Sequence, residues 1–169
     1  IQLNNLPACP YAKTAWLQNK VNIQLRDPDK GYVSYLHKLI KTIDYEKIEL
    51  LIYCDPFYKE YSINKFQKII DKFNNKYNSD DHYFMGFHPD NPASVEEQEF
   101  LVEPTDDTTY DNPIPYSMML IQKFKQLYEA SCKLHKIGYY KKWPPEYYEE
   151  VVATRQKTYE RLFKKGVTS

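Results

Sequence analysis

Residues 48–54, "IELLIYC", form a compact apolar run that ends in Asp55-Pro56. A run this short and this apolar predicts a strand buried on both faces. On either side the hydrophobic period changes. Ahead of it, "KVNIQLR" alternates, with Val21, Ile23 and Leu25 on one face and Asn22 and Gln24 on the other, as in a half-buried strand. Between the two, Val33, Leu36, Leu39, Ile40 and Ile43 recur at helical spacing. After it, Ser62 reads as an N-cap, and Ile63, Phe66, Ile69, Ile70 and Phe73 form a second helical stripe. "HYFMGF" then reads as a third strand.

The order β-α-β-α-β predicts an α/β fold: a small three-stranded parallel sheet over residues 20–26, 48–54 and 83–88, joined by right-handed crossovers. A short helix is expected around Ala12–Gln18. An acidic, proline-containing stretch, "NPASVEEQEFLVEPTDDTTYDNPIP", follows the third strand, and its length predicts a functional or disordered loop. A helix is expected from about Ser117 to Lys136, with Met118, Ile121, Phe124, Leu127 and Tyr128 inward. A second begins near Pro145, a suited first helical residue. The expected organisation is an α/β domain over 1–138 and an aromatic-rich helical extension over 139–169.

The 169 residues suit one domain with a sizeable core. The 23 basic and 23 acidic residues cancel, which argues against a nucleic-acid protein working through a dense positive surface. No apolar run approaches the length of a membrane span. Cys9, Cys54 and Cys132 are too few and too scattered for a disulfide framework or a zinc pattern. A reducing intracellular compartment is expected, on the mitochondrial matrix side or in the cytoplasm. The chain starts at Ile1 rather than Met, which fits removal of a targeting segment or a trimmed chain.

In open parallel sheets ligands sit beyond the carboxyl ends of the strands. Those ends carry Arg26-Asp27, Cys54-Asp55-Pro56 and His88-Pro89-Asp90. If they share a rim, His88 is a candidate general base or metal ligand, with Asp90 or Asp55 orienting it. The plain alternative is that Asp-Pro and His-Pro-Asp stop strands and cap turns. Cys9 is a candidate nucleophile near a helix start, against a buried structural role. Cys54 reads as core. Cys132 and His135 share a helical face, but two ligands make a weak metal site. No glycine-rich phosphate loop, HExxH or GxSxG is present. No cofactor and no metal are expected.

His88-Pro89-Asp90 resembles the tripeptide of J-domain cochaperones, which lies between two antiparallel helices. Here a strand-like run precedes it and no basic helix leads in, so that reading is set aside. The pieces "CPYA" (Cys9–Ala12), "FHPD" (Phe87–Asp90) and "NPIPY" (Asn112–Tyr116) resemble, in order and spacing, a family of small uncharacterised proteins found in bacteria and some eukaryotes. In that family a Cys-Pro-aromatic-Ala opening precedes two strand-helix units, Phe-His-Pro-Asp and an Asn-x-x-Pro-Tyr element. The resemblance implies a shared fold and pocket, with Asn112 and Tyr116 as motif candidates beside the strand-end residue Arg26. It carries no activity. The acidic insert and Ser117-Met118-Met119, in place of a histidine-containing continuation, depart from the family pattern.

The tail, "GYYKKWPPEYYEEVVATRQKTYERLFKKG", holds adjacent ring pairs that a helix splays about 100° apart. Some rings must face outward, and Trp143, Tyr147 and Tyr148 are candidate partner-binding residues. The same rings and lysines could stack on bases, a reading that the neutral net charge disfavours. The expected function is a non-catalytic accessory or interaction subunit that binds a protein partner. The alternative is a small soluble enzyme, or a ligand- or metal-binding protein, built on Asp55, His88 and Asp90.

Overall fold

The computed structural model describes residues 10–90 and 116–164. Helix α1 (Pro10–Leu17) leads into β1 (Val21–Leu25), α2 (Tyr32–Ile40), β2 (Leu50–Asp55), α3 (Ile63–Tyr77) and β3 (His82–Phe87). Strand β4 (Ser117–Lys123), helix α4 (Phe124–Lys136) and the C-terminal helical segments follow. The fold class is α/β, and the sheet is four-stranded and mixed, in the order β1-β2-β4-β3. Strands β1 and β2 are parallel, whereas β4 is antiparallel to both β2 and β3. Strands β1, β2 and β3 therefore run the same way, as the β-α-β-α-β order predicts, but β4 separates β2 from β3.

The expected three-stranded sheet and the expected helix from Ser117 are both corrected by β4. The segment "SMMLIQK" carries two periods at once. Met118 and Ile121 suit the helical stripe that runs on to Phe124, while Ser117, Met119 and Ile121 alternate at period two. The slot between β2 and β3 decides. There both edges of β4 find partners, and Ser117, Met119 and Ile121 become fully buried. Helix α4 starts only at Phe124. Asp81 satisfies its first turn, its carbonyl accepting from Phe124 N at 3.0 Å and its carboxylate from Lys125 N at 2.7 Å.

The face of the sheet carrying Leu51, Tyr53, Phe84, Met119 and Ile121 packs against Leu36 and Ile40 of α2 and Phe66, Ile70 and Phe73 of α3. Ser62 caps α3 as its sequence position predicts, its side chain accepting from Lys65 N at 3.3 Å. Gly86 lets α3 approach β3. A Cβ there would stand 2.0 Å from Ile70 Cδ1 and 2.7 Å from Phe66 Cε1.

On the β3–β4 half, the other face carries the C-terminal segments. Pro145 is the first residue of α5 (Pro145–Tyr148), which passes through a widened π-helical turn (Glu149–Ala153) into α6 (Thr154–Phe163). Tyr159 stacks on Tyr128 with ring centres 4.3 Å apart and meets Phe124 edge-on. Arg155 donates to Ser131 Oγ at 2.7 Å and lies over the Tyr83 ring.

In β1 the polar and apolar faces lie opposite to the way alternation alone suggests. Gln24 turns to the covered side, where Tyr35 Oη donates to it at 3.4 Å. Ile23 and Leu25 are 52% and 62% exposed.

At the far end of the sheet two histidines pair with phenols: His37 Nδ1 with Tyr77 Oη at 2.6 Å, and His82 Nδ1 with Tyr45 Oη at 2.7 Å. Burial lowers both imidazole pKa values below the ordinary 6.5; Lys76, Lys72 and Lys41 lower His37 further, while Asp80 and Asp81 partly oppose the shift at His82. The unfolded chain thus binds more protons than the fold just below 6.5, so this stability is present above that pH and is lost as pH falls through it. Chemical denaturation should show the unfolding free energy dropping between about pH 7.5 and 5.5, with a smaller drop in His82→Gln.

Candidate functional site

The carboxyl ends of β1, β2 and β3 and the start of β4 meet at one rim, and Asp55 is its centre. Asp55 and Ser117 are paired across β2 and β4, and both are fully buried. The turn after β2 folds so that Phe57 N donates to Asp55 Oδ1 at 2.8 Å, an Asx-type contact. One 3-10 turn, Tyr58–Glu60, then carries Tyr61 back over the sheet. The Tyr61 hydroxyl donates to Asp55 Oδ2 and is hydrogen-bonded to Ser117 Oγ at 2.9 Å. From β1, Arg26 Nη1 donates to Asp55 Oδ2 at 3.1 Å and pairs with Glu60 at 2.9 Å. The guanidinium lies against the rings of Tyr32 and Phe57.

This arrangement sets the chemistry available at the rim. Burial and the hydrogen bond to Asp55 push the Tyr61 phenol above its ordinary range, so it stays a neutral donor. A protonated Tyr61 cannot take a proton from Ser117. The Asp55 carboxylate is occupied by the guanidinium, the phenol and a backbone N–H. The cluster is a polar staple across β1, β2 and β4 rather than a nucleophile–base pair.

His88 follows on the same side. It is buried, with its ring 5.4 Å from Tyr58, 5.6 Å from Phe66 and 6.1 Å from Tyr61. Its Nδ1 accepts from Asp90 N at 3.2 Å, which leaves the proton on Nε2. That Nε2 is buried and has no hydrogen-bond partner among the described residues, and the same holds for Arg26 Nε.

Arg26, Asp55 and His88 thus lie at one rim, with Tyr61 touching both Asp55 and His88. Asp90 reaches His88 through its backbone and not its carboxylate, because the tight Pro89 turn places the amide nearest the ring. Tyr116 is partly exposed just before Ser117. Cys9 and Asn112 lie outside the described residues. The buried Cys54 thiol is pushed above its ordinary value by desolvation, the opposite of a reactive thiolate. Among the described residues no three His, Cys, Asp or Glu side chains cluster as metal ligands. Tyr61 and Ser117 complete the rim without a motif of their own. The spacing of Asp55 and Tyr61 across "DPFYKEY" is the only signal for the first, and the helical spacing of Met118, Ile121 and Phe124 masks the second.

A second candidate lies at the end of α4. Gly138, in the left-handed region at φ 75°, turns the chain into a 3-10 turn, Tyr139–Lys142, and Pro144 and Pro145 turn it again. Tyr140 meets Trp143 edge-on at 4.9 Å and Tyr148 at 5.3 Å; Trp143 lies 5.1 Å from Tyr147. Tyr148 Oη and His135 Nδ1 are hydrogen-bonded at 3.1 Å. His135, Gly138, Tyr140, Lys141, Trp143, Pro145 and Tyr148 line a cavity of about 310 Å³. Trp143, Tyr147 and Tyr148 are all half-buried.

Comparison with protein-family models, with curated proteins and with solved structures returns no match.

Removing Asp55 takes the buried partner from a guanidinium that is only 10% exposed, leaving it the exposed Glu60, and unpairs the Tyr61 hydroxyl and Phe57 N from their acceptor. Asp55→Ala should cost about 3 kcal/mol and Tyr61→Phe about 1–2 kcal/mol, read from urea denaturation. An Asp55→Ala cost no larger than that of Tyr61→Phe would overturn the staple.

Proposed function

We propose that this is a non-catalytic interaction protein whose aromatic cavity receives a segment of a partner protein. The cavity lined by Tyr140, Trp143 and Tyr148 carries this reading. Grooves of Tyr and Trp take extended, proline-containing peptides, which reach the site already ordered and so lose little entropy on binding. Charge selects among such peptides. Lys133, Lys136 and Lys141 are exposed around the cavity, so an acidic segment is the complementary partner. The rim supports the non-catalytic part, since its carboxylate, phenol and hydroxyl already bind one another.

Panning a displayed random peptide library against the protein tests this. Enrichment of acidic, proline-containing sequences is expected. Trp143→Ala, folded by circular dichroism, should weaken a selected peptide by about 2 kcal/mol, roughly 30-fold. Equal binding by the variant, or preference for an oligonucleotide over every peptide, would overturn it.

A second reading rests on His88, whose buried Nε2 suits a small polar guest that accepts a hydrogen bond. Native mass spectra of the purified protein should then show an adduct that His88→Phe lacks. An adduct-free wild type would remove this reading.

A further inference from the structure

Strand β1 is an edge of the sheet, with β2 on one side and no described strand on the other. Edges of this kind are normally guarded by a proline, a charge, a bulge or a covering element. The five residues of β1, Val-Asn-Ile-Gln-Leu, contain no proline and no charge. Their pairing with β2 is uninterrupted from Val21 to Leu25. Ile23 and Leu25 are more than half exposed, and so are Trp16 and Leu17 just before the strand. Such a strand is an open template for another.

The backbone decides which partner strand fits. The Lys20 carbonyl accepts from β2 and Arg26 N donates to Cys54 O, so the even-numbered residues of β1 face β2. Val21, Ile23 and Leu25 therefore turn their N–H and C=O groups to the open edge. In an antiparallel pair centred on Ile23, Ile23 lies opposite its own copy, and Val21 lies opposite Leu25. Every outward donor and acceptor of those three residues then meets one from the other strand. The same register pairs apolar side chains on one face and Asn22 with Gln24 on the other. A centre on Asn22 or Gln24 would also oppose outward groups, but it would carry Leu25 opposite Asn19 or Val21 opposite Asp27, outside the strand, so the Ile23 centre alone keeps all three pairs within β1. The flanking cations do not oppose the contact, because Lys20 is neutralised by Glu49 and Arg26 by Asp55 and Glu60.

We propose that β1 pairs with β1 of a second copy of this chain, antiparallel about a twofold axis at Ile23, joining two four-stranded sheets into one of eight strands. This contact is separate from the aromatic cavity, whose helices pack on the β3–β4 half.

Sedimentation velocity on the whole chain tests it. The expected species is a dimer. Ile23→Lys should be monomeric with an unchanged circular-dichroism spectrum, because Ile23 is half in solvent already and the substitution sets two lysines face to face across the axis. Leu25→Glu should also dissociate, and Leu25→Glu with Val21→Lys should restore the dimer, because these positions oppose one another only in this register. Trp143→Ala should leave the dimer intact. A chain that is monomeric up to about 100 µM, where a specific dimer would form by mass action, would overturn the proposal. So would a dimer that survives Ile23→Lys, or a Leu25→Glu/Val21→Lys pair that stays monomeric.

Discussion

The contact between Arg26 and Asp55 decides more of this structure than any other polar pair. A strand has a side-chain period of two, so a slip of one residue turns every side chain over. Once Arg26 points to the covered face to meet Asp55, Gln24 and Asn22 must point there too, and Ile23 and Leu25 are turned to the other face. The buried ion pair is weak as a source of stability, since desolvation offsets much of its attraction. Its effect is on register. The exposed apolar residues of β1 follow from where the arginine has to go.

Much of this fold was legible along the chain because its first half obeys one period at a time. The stripe from Phe66 to Phe73 could only be a helix face, and Ser62 and Pro145 stand where helix starts need them. The fourth strand was not legible. Met118, Ile121 and Phe124 satisfy the helical period, and the alternation of Ser117, Met119 and Ile121 is too short to outweigh it. Only the gap between β2 and β3 settles the matter, and that gap is made by residues far away in the chain. The facing of β1 is not legible for a related reason, since alternation identifies two faces without saying which is covered.

The rim shows the same division. Arg26, Asp55 and His88 are brought together by a topological rule that needs only strand direction. Tyr61 and Ser117, which complete the network, depend on a 3-10 turn and on β4, and neither has a periodic signature. The consequence for chemistry is large. Asp55 and His88 alone read as a base and its orienting acid. With Tyr61 between them, the carboxylate is spent on a phenol and a guanidinium, and the imidazole sits among rings with Nδ1 bound to the next turn. The rim groups thus bind one another, while at the corner after α4 the rings of Trp143, Tyr147 and Tyr148 are left half in solvent.

One open surface is β1, and the helices that carry the other pack on the opposite half of the sheet. β1 is the first strand in the order β1-β2-β4-β3, while α4 and α6 rest on β3 and β4 through Tyr83, Phe124 and Tyr159. Joining two copies at β1 would put the β3–β4 halves at the two outer ends of a sheet about 34 Å wide at the usual strand spacing of roughly 4.8 Å. Two binding sites held at a fixed separation bind a repeated or paired partner far more tightly than one, because the second contact forms within the complex. If both proposals hold, an unguarded edge that would be an aggregation hazard on a lone domain is also a route to avidity that enlarges neither cavity.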